Sequence, residues 1–213
     1  YEKISKQDNR IKVCKFDINY FNYSAIVNYG VECSNGEYIV MLNNDIEFIT
    51  EDWIEQLLMY AQRPDVGICG AKLYFPDRSI QHAGVTLGTR GLAGHRCREV
   101  QEKDFKKDDY INIVQDLSAV TAACFMVRKQ LYIDMLGFDE KLAVAFNDVD
   151  FCMKIRTAKY LIVYNPFVEA YHYESKSRGE DTENTEKQKR FAKEYELFVK
   201  RWSKVIAKGD PYY

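Results

Sequence analysis

The run Tyr38-Ile39-Val40-Met41-Leu42 is apolar without a break and stops abruptly at Asn43-Asn44-Asp45. An unbroken apolar stretch of this length reads as a strand buried on both faces, the habit of strands in parallel and mixed sheets. Its polar end places two amides and a carboxylate at the carboxyl end of a strand, where ligands gather in open α/β sheets. A carboxylate there can hold Mg²⁺ or Mn²⁺, which prefer oxygen ligands and keep waters or substrate phosphates. The plainer reading is an Asx turn, and taken alone the three residues favour the turn.

Working outward, Arg10–Phe16 reads as a short strand. Asn22–Ser24 offers caps for a helix through Ala25-Ile26-Val27-Asn28-Tyr29, which Asn35-Gly36 ends. Downstream, Thr50 is a cap for a helix that carries Trp53, Ile54, Leu57, Leu58 and Ala61 on one face. Val66–Phe75 reads as a strand, and residues 77–107 as a long loop or a set of short strands. Ala119–Val127 is β-rich, and Lys129–Leu136 is a helix stopped by Gly137. Another helix starts at Asn147-Asp148. Leu161–Tyr164 and Val168–Tyr171 are two strands broken by Pro166. A last helix sets Phe191, Tyr195, Phe198 and Trp202 in a stripe. Strands alternating with helices predict an α/β fold with a mixed sheet.

Composition narrows the function. The 213 residues carry 30 Lys+Arg against 32 Asp+Glu, a net charge of −2, which excludes a mainly electrostatic nucleic-acid binder. With 46% apolar and 29% charged residues the chain can bury a core. No window approaches the ~18 apolar residues needed to span a bilayer. The six cysteines show no CxxC spacing, so they read as free thiols of a reducing compartment. Three histidines without HExxH exclude metalloprotease chemistry. No basic-then-apolar leader is visible, and the missing initial Met suggests a piece of something longer.

Two more segments can carry chemistry. In Phe146-Asn147-Asp148-Val149-Asp150-Phe151, an N-cap accounts for Asn147 or Asp148, and the helix dipole suits Asp150. The alternative is one carboxylate serving as general base. In Tyr171–Gly179, His172 can complete a metal site, while Lys176 and Arg178 suit diphosphate oxygens. The alternatives are a packed histidine and ordinary loop charges. Nothing in their spacing singles out His82 or His95.

Taken in order, Phe21-Asn22-Tyr23-Ser24-Ala25-Ile26, Gly36-Glu37-Tyr38, Leu42-Asn43-Asn44-Asp45, Gln81-His82-Ala83-Gly84, Gly137-Phe138-Asp139-Glu140, Asn147-Asp148-Val149-Asp150-Phe151 and His172-Tyr173-Glu174-Ser175 form a specific set. With it the chain resembles, over nearly its whole length, the family 2 glycosyltransferases, inverting enzymes of the GT-A fold. The likeness is strongest to bacterial enzymes of cell-surface polysaccharide synthesis, rhamnosyltransferase-like members included.

The resemblance implies a Rossmann-like mixed sheet flanked by helices, lacking its first strands. Residues 1–213 would be one domain, with a donor and metal half at 1–115 and an acceptor half at 116–213. Asn43-Asn44-Asp45 takes the place of the family's DxD motif. Asp45 is then the carboxylate that meets the metal, Mg²⁺ or Mn²⁺, and the donor diphosphate, while Asn43 could bond a ribose. Asp148 is the implied catalytic base, with Asn147 where the family carries Glu. His172 matches the metal-binding histidine, and Asn28, with Ser24, helps to frame the nucleotide. The implied partners are a nucleotide-sugar donor and a saccharide or lipid-linked saccharide acceptor, in the cytoplasm or at the inner face of the membrane. Alone, such a piece is expected to bind nucleotide poorly and to self-associate through an exposed sheet edge. The competing reading, favoured by the two departures to Asn, is a non-catalytic carbohydrate-recognition or scaffold module. A nucleotidyltransferase would need a Gly-rich phosphate loop, which is not seen.

Overall fold

Backbone hydrogen bonds join seven strands into one mixed sheet in a computed structural model, which describes residues 1–17, 19–88, 92–173 and 185–212. A short helix α1 (Glu2–Ser5) precedes α2 (Tyr23–Cys33), β1 (Tyr38–Leu42), β2 (Ile46–Phe48), α3 (Trp53–Ala61) and β3 (Val66–Tyr74). The middle of the chain holds β4 (Ile80–His82), β5 (Val85–Leu87), β6 (Ala93–His95) and β7 (Gln115–Asp116). Then come β8 (Cys124–Arg128), α4 (Lys129–Asp134), α5 (Asn147–Thr157), β9 (Leu161–His172) and α6 (Thr185–Ile206).

The sheet runs β1-β8-β3-β9-β2, with β4 added on β3 and β7 on β9; β5 and β6 form a separate pair. The β3–β9 pair is parallel, and β8 lies antiparallel to both β1 and β3. The carboxyl ends of β1, β3 and β9 therefore open on one side of the sheet. Alternation along β8 shows both faces buried: Phe125 and Val127 pack with Ile68, Phe151 and Phe198, while Cys124 and Met126 pack with Leu57 and Ala61 of α3. The expectation of an α/β fold with a mixed, helix-flanked sheet holds. Among the described residues, the second edge of β1 carries no partner strand.

Local details depart from the sequence reading. Arg10–Phe16 forms no strand; it is an unpaired segment against α2, with Phe16 stacked on Tyr29 at 4.8 Å. Asn22 does cap α2, accepting from the Ala25 N–H. Thr50 does not cap α3, whose N-cap residue is Asp52. Instead its hydroxyl donates to the Phe167 carbonyl and accepts the Glu169 N–H.

Those two bonds explain why Pro166 breaks nothing. Ala71 pairs with Asn165 and Lys72 with Glu169, so Pro166–Val168 bulges out of one continuous strand, and Thr50 satisfies its backbone groups. In α6 the buried positions are Glu194, Phe198 and Trp202, whereas Phe191 and Tyr195 stay partly exposed. All six cysteines are free thiols, and burial pushes Cys124 and Cys152 up to about 12. Among the described residues, no helix is long and apolar enough to cross a membrane.

Candidate active site

A cleft of about 620 Å³ opens at the carboxyl ends of β1 and β9, and Asn43, Asp45, Asp148 and His172 all line it. The β2–β9 ladder aligns Ile46 with His172, so Asp45 lies beside the histidine. His172 Nε2 is 3.2 Å from Asp45 Oδ1 and 3.2 Å from Asn43 Nδ2. On the other side of the ring, Nδ1 lies 2.7 Å from Gln81 Oε1. A carboxamide oxygen only accepts, so Nδ1 carries a proton, and Nε2 lies between the Asn43 amide and the Asp45 carboxylate. Asn43 is held in turn by the Tyr23 hydroxyl, which donates to its Oδ1 at 3.1 Å.

This arrangement fits a divalent cation. Asp45 Oδ1 is buried and has no hydrogen-bond partner, and it lies 3.2 Å from Nε2 of the His172 ring. A buried carboxylate oxygen without a hydrogen-bond partner, 3.2 Å from a ring nitrogen, is a donor set a cation would satisfy. No group of three or more His, Cys, Asp or Glu suited to a metal occurs among the described residues. Two protein ligands suffice for a hard cation that keeps waters and takes substrate phosphates.

Asp148 lines the same cleft from the first turn of α5. Its Oδ1 accepts from the Val149 N–H at 2.8 Å and its Oδ2 from the Ala122 N–H at 3.2 Å. The N-cap is Phe146 in a left-handed conformation (φ 63°), so Asn147 and Asp148 lie inside the helix and neither caps it. Stacking on Phe198 at 5.0 Å holds the Phe146 ring. Tyr23 lines the cleft as well: burial, then the charges of Asp148 and Asp45, push its hydroxyl well above the ordinary range. It stays protonated as a donor.

The sequence profile of Glycosyl transferase family 2 matches residues 1–136. The chain belongs to glycosyl transferase family 2. It is 42% identical over 215 residues to an uncharacterized protein, y4gI, of Sinorhizobium fredii, covering 100% of this chain and 23% of that one. The O-antigen biosynthesis protein RfbC of Myxococcus xanthus is 33% identical over 91% of this chain, which spans 15% of that protein. An N-acetylglucosaminyl-diphospho-decaprenol L-rhamnosyltransferase of Mycobacterium tuberculosis is 23% identical over 68% of the chain and 50% of its own length. This family 2 chain thus spans half or less of these relatives. Among solved structures, GalNAc-T7 with UDP, GalNAc and Mn²⁺ shares the GT-A fold at a TM-score of 0.66. It is 13% identical, and the alignment covers 92% of this chain and 38% of that one.

Not every residue singled out from the sequence of this family 2 chain reaches the cleft. Asn28 stands apart: its Oδ1 accepts from the Tyr132 hydroxyl and the Phe138 N–H, and its Nδ2 donates to the Phe138 carbonyl and Glu140. Gly137 makes room for it, since a Cβ there would come within 2.6 Å of Asn28 Oδ1. Ser24 likewise bonds the Leu142 carbonyl. Both fasten α2 to the segment before α5. Asp150 points away from the cleft and accepts from Arg201 and Trp202 of α6. Lys176 and Arg178 lie outside the described residues.

Sequence reasoning missed Gln81, Tyr23, His95 and Arg98 as lining residues. Gln81 and Tyr23 sit in stretches that carried the family resemblance but had no assigned role. His95 packs edge-on against His82, which is fully buried. Burial, then the charges of His95, His172, Arg96 and Arg98, hold His82 well below its ordinary value.

Proposed function

We propose that this chain transfers a glycosyl group from a nucleotide-diphosphate sugar to a hydroxyl of a saccharide, with inversion, in the synthesis of a cell-surface polysaccharide. The observation that carries the reading is one cleft lined both by Asp148 and by the Asp45–His172 pair. The half at 1–115 supplies Asp45, and the half at 116–213 supplies Asp148 and His172. The names of the O-antigen and rhamnosyltransferase relatives support polysaccharide work, and a lipid-linked saccharide is within the same acceptor class.

In the proposed reaction Asp148 takes the proton of the acceptor hydroxyl, whose oxygen attacks the anomeric carbon from the face opposite the leaving group. The new C–O bond forms as the bond to the donor diphosphate breaks, through an oxocarbenium-like transition state. Two backbone N–H groups, from Val149 and Ala122, fix the carboxylate so that its free lone pairs meet the incoming hydroxyl. Asp45 and His172 would hold Mg²⁺ or Mn²⁺, which supplies charge neutralisation on the leaving diphosphate when bound. Gln81 and Asn43 orient His172, and Tyr23 orients Asn43. In the DxD position Asn43 brings no charge of its own.

The test uses the protein as it is made in the cell, a panel of UDP-, GDP- and dTDP-sugars, and the Asp148→Asn variant. The variant should lose transfer and keep Mn²⁺-dependent nucleotide binding. Undiminished transfer rejects Asp148 as base. Nucleotide binding that ignores Mn²⁺ in the unaltered protein favours the carbohydrate-recognition module instead.

A further inference from the structure

Just before α2 the chain places an aromatic ring at the cleft: Phe21 lines it and is 54% exposed. The backbone that follows is firmly held. Asn22 is buried, caps α2 through its Oδ1, and donates from Nδ2 to the Glu140 carbonyl at 2.9 Å. The Tyr23 N–H donates to the Ala143 carbonyl at 2.8 Å. These bonds tie the entry to α2 onto the stretch 140–144, which leads into Asn147 and Asp148. Val144, the residue after Ala143, lines the cleft too. Among the described residues the Phe21 ring stacks on no other aromatic side chain. The phenyl group is therefore presented at the cleft by its anchored backbone, with no packing role inside the fold to account for it.

The rest of the lining says what such a ring meets. Polar side chains dominate it, Asn44, Thr121, Asn147 and Asp148 among them. A small-molecule site of this kind pairs a few polar groups, which orient the ligand, with an apolar or aromatic surface that covers it. A pyranose has matching halves: hydroxyls around its rim, and C–H groups clustered on a face that an aromatic ring can cover. We infer that Phe21 is a stacking platform for a sugar ring in the cleft, setting the ring's C–H face while polar neighbours take its hydroxyls. The inference rests on the proposed glycosyl transfer and names the residue that recognises the sugar itself rather than the nucleotide. Two sources share that chemistry: the glycosyl group of the donor and the accepting saccharide. The contact is binding only; no bond is made or broken at Phe21.

Binding measured on the protein as it is made in the cell separates the outcomes, with three sets of probes and Mn²⁺ throughout. They are UDP, GDP and dTDP; their sugar conjugates; and the methyl glycosides of glucose, galactose, mannose, N-acetylglucosamine and rhamnose. Phe21→Ala should weaken the sugar-bearing probes that bind by about tenfold and leave the bare diphosphates unchanged. Phe21→Tyr keeps the flat face and should keep the affinity, whereas Phe21→Leu keeps an apolar side chain without that face and should lose it. Tyr20→Ala is the control: Tyr20 is 69% exposed, does not line the cleft, and should change nothing. A loss confined to the nucleotide sugars assigns Phe21 to the donor; a loss confined to the methyl glycosides assigns it to the acceptor. Wild-type affinity for every sugar probe in Phe21→Ala overturns the inference, and so does an equal loss for the bare diphosphates, which would put the ring on the nucleotide. Should Phe21→Ala melt early, Phe21→Leu decides, and unchanged sugar affinity in that variant also overturns it. Diphosphates that bind while no sugar adds affinity remove Phe21's role and leave the donor reading standing; binding of no probe at all removes both.

Discussion

The carboxylate of Glu194, on α6, accepts a hydrogen bond of 2.8 Å from the backbone N–H of Ala145, three residues before Asp148. Its other oxygen accepts from the Val144 N–H at 3.1 Å, and Val144 itself lines the cleft. Glu194 is 1% exposed, and burial raises its carboxyl above the ordinary range against the pull of these N–H groups and Arg190. With Phe146 clamped on Phe198, α6 fixes the segment that delivers the proposed base.

Glu194→Ala should therefore lower kcat by about ten- to a hundredfold while leaving the KM for the donor nearly unchanged, because a misaimed base costs rate before it costs binding. Glu194→Gln keeps one accepting oxygen and should recover part of the rate. Steady-state kinetics with the donor found in the nucleotide-sugar panel reads both values. A matched rise in KM would instead mean general collapse of the cleft.

Gln81→Met should weaken Mn²⁺ binding by about 10- to 100-fold, since the imidazole loses the acceptor that fixes its tautomer. The measurement is a Mn²⁺ titration followed by electron paramagnetic resonance. An unchanged affinity would show that Asn43 alone orients the ring.

His82 sets a pH dependence of stability. Its folded pKa lies well below 6.5, so the folded protein keeps it neutral while the unfolded chain takes up a proton below that value. The stability it contributes is present above pH 6.5 and is lost as pH falls below it. Melting temperatures between pH 5 and 8 should drop more steeply on the acid side than in His82→Gln.

Asp150→Ala should cost about 3 kcal/mol, because the fully buried carboxylate accepts from Arg201 and Trp202, and its removal strands the indole N–H and leaves the guanidinium with Asp139 alone. Urea denaturation reads the loss as a lower midpoint at constant slope.

Among the described residues one edge of β1 has no partner strand, and this bears on the isolated chain 1–213. It should self-associate with rising concentration, and Leu42→Lys, at a 45% exposed edge position, should shift it toward monomer in analytical ultracentrifugation.

What the sequence reveals follows from how local each signal is. Tyr38–Leu42 is legible as a buried strand because every residue in it is apolar, and Asn22 as a cap because its partner is three residues on. Asp148 and His172 are ambiguous one at a time and become readable only as members of an ordered family set. Thr50 misleads because a hydroxyl that satisfies a bulge 117 residues away has the same local signature as one that caps a helix. Glu194 is hidden for a similar reason: its partners are backbone groups, which carry no residue type to read. Arg10–Phe16 has the alternation of a strand, but pairing needs a neighbour, and α2 is what it meets.

The alignment of Ile46 with His172 brings Asp45 and the histidine together across 127 positions of chain through two adjacent ladder strands. Nothing between them has to keep its length for that meeting to survive, provided the two strands pair in the same frame. Insertions or deletions beyond Gln81, in the stretch from residue 83 to 116, can reshape the crevice and leave the proposed cation-binding corner as it is. The proposed chemical anchor thus sits beside a stretch that can change length without moving it.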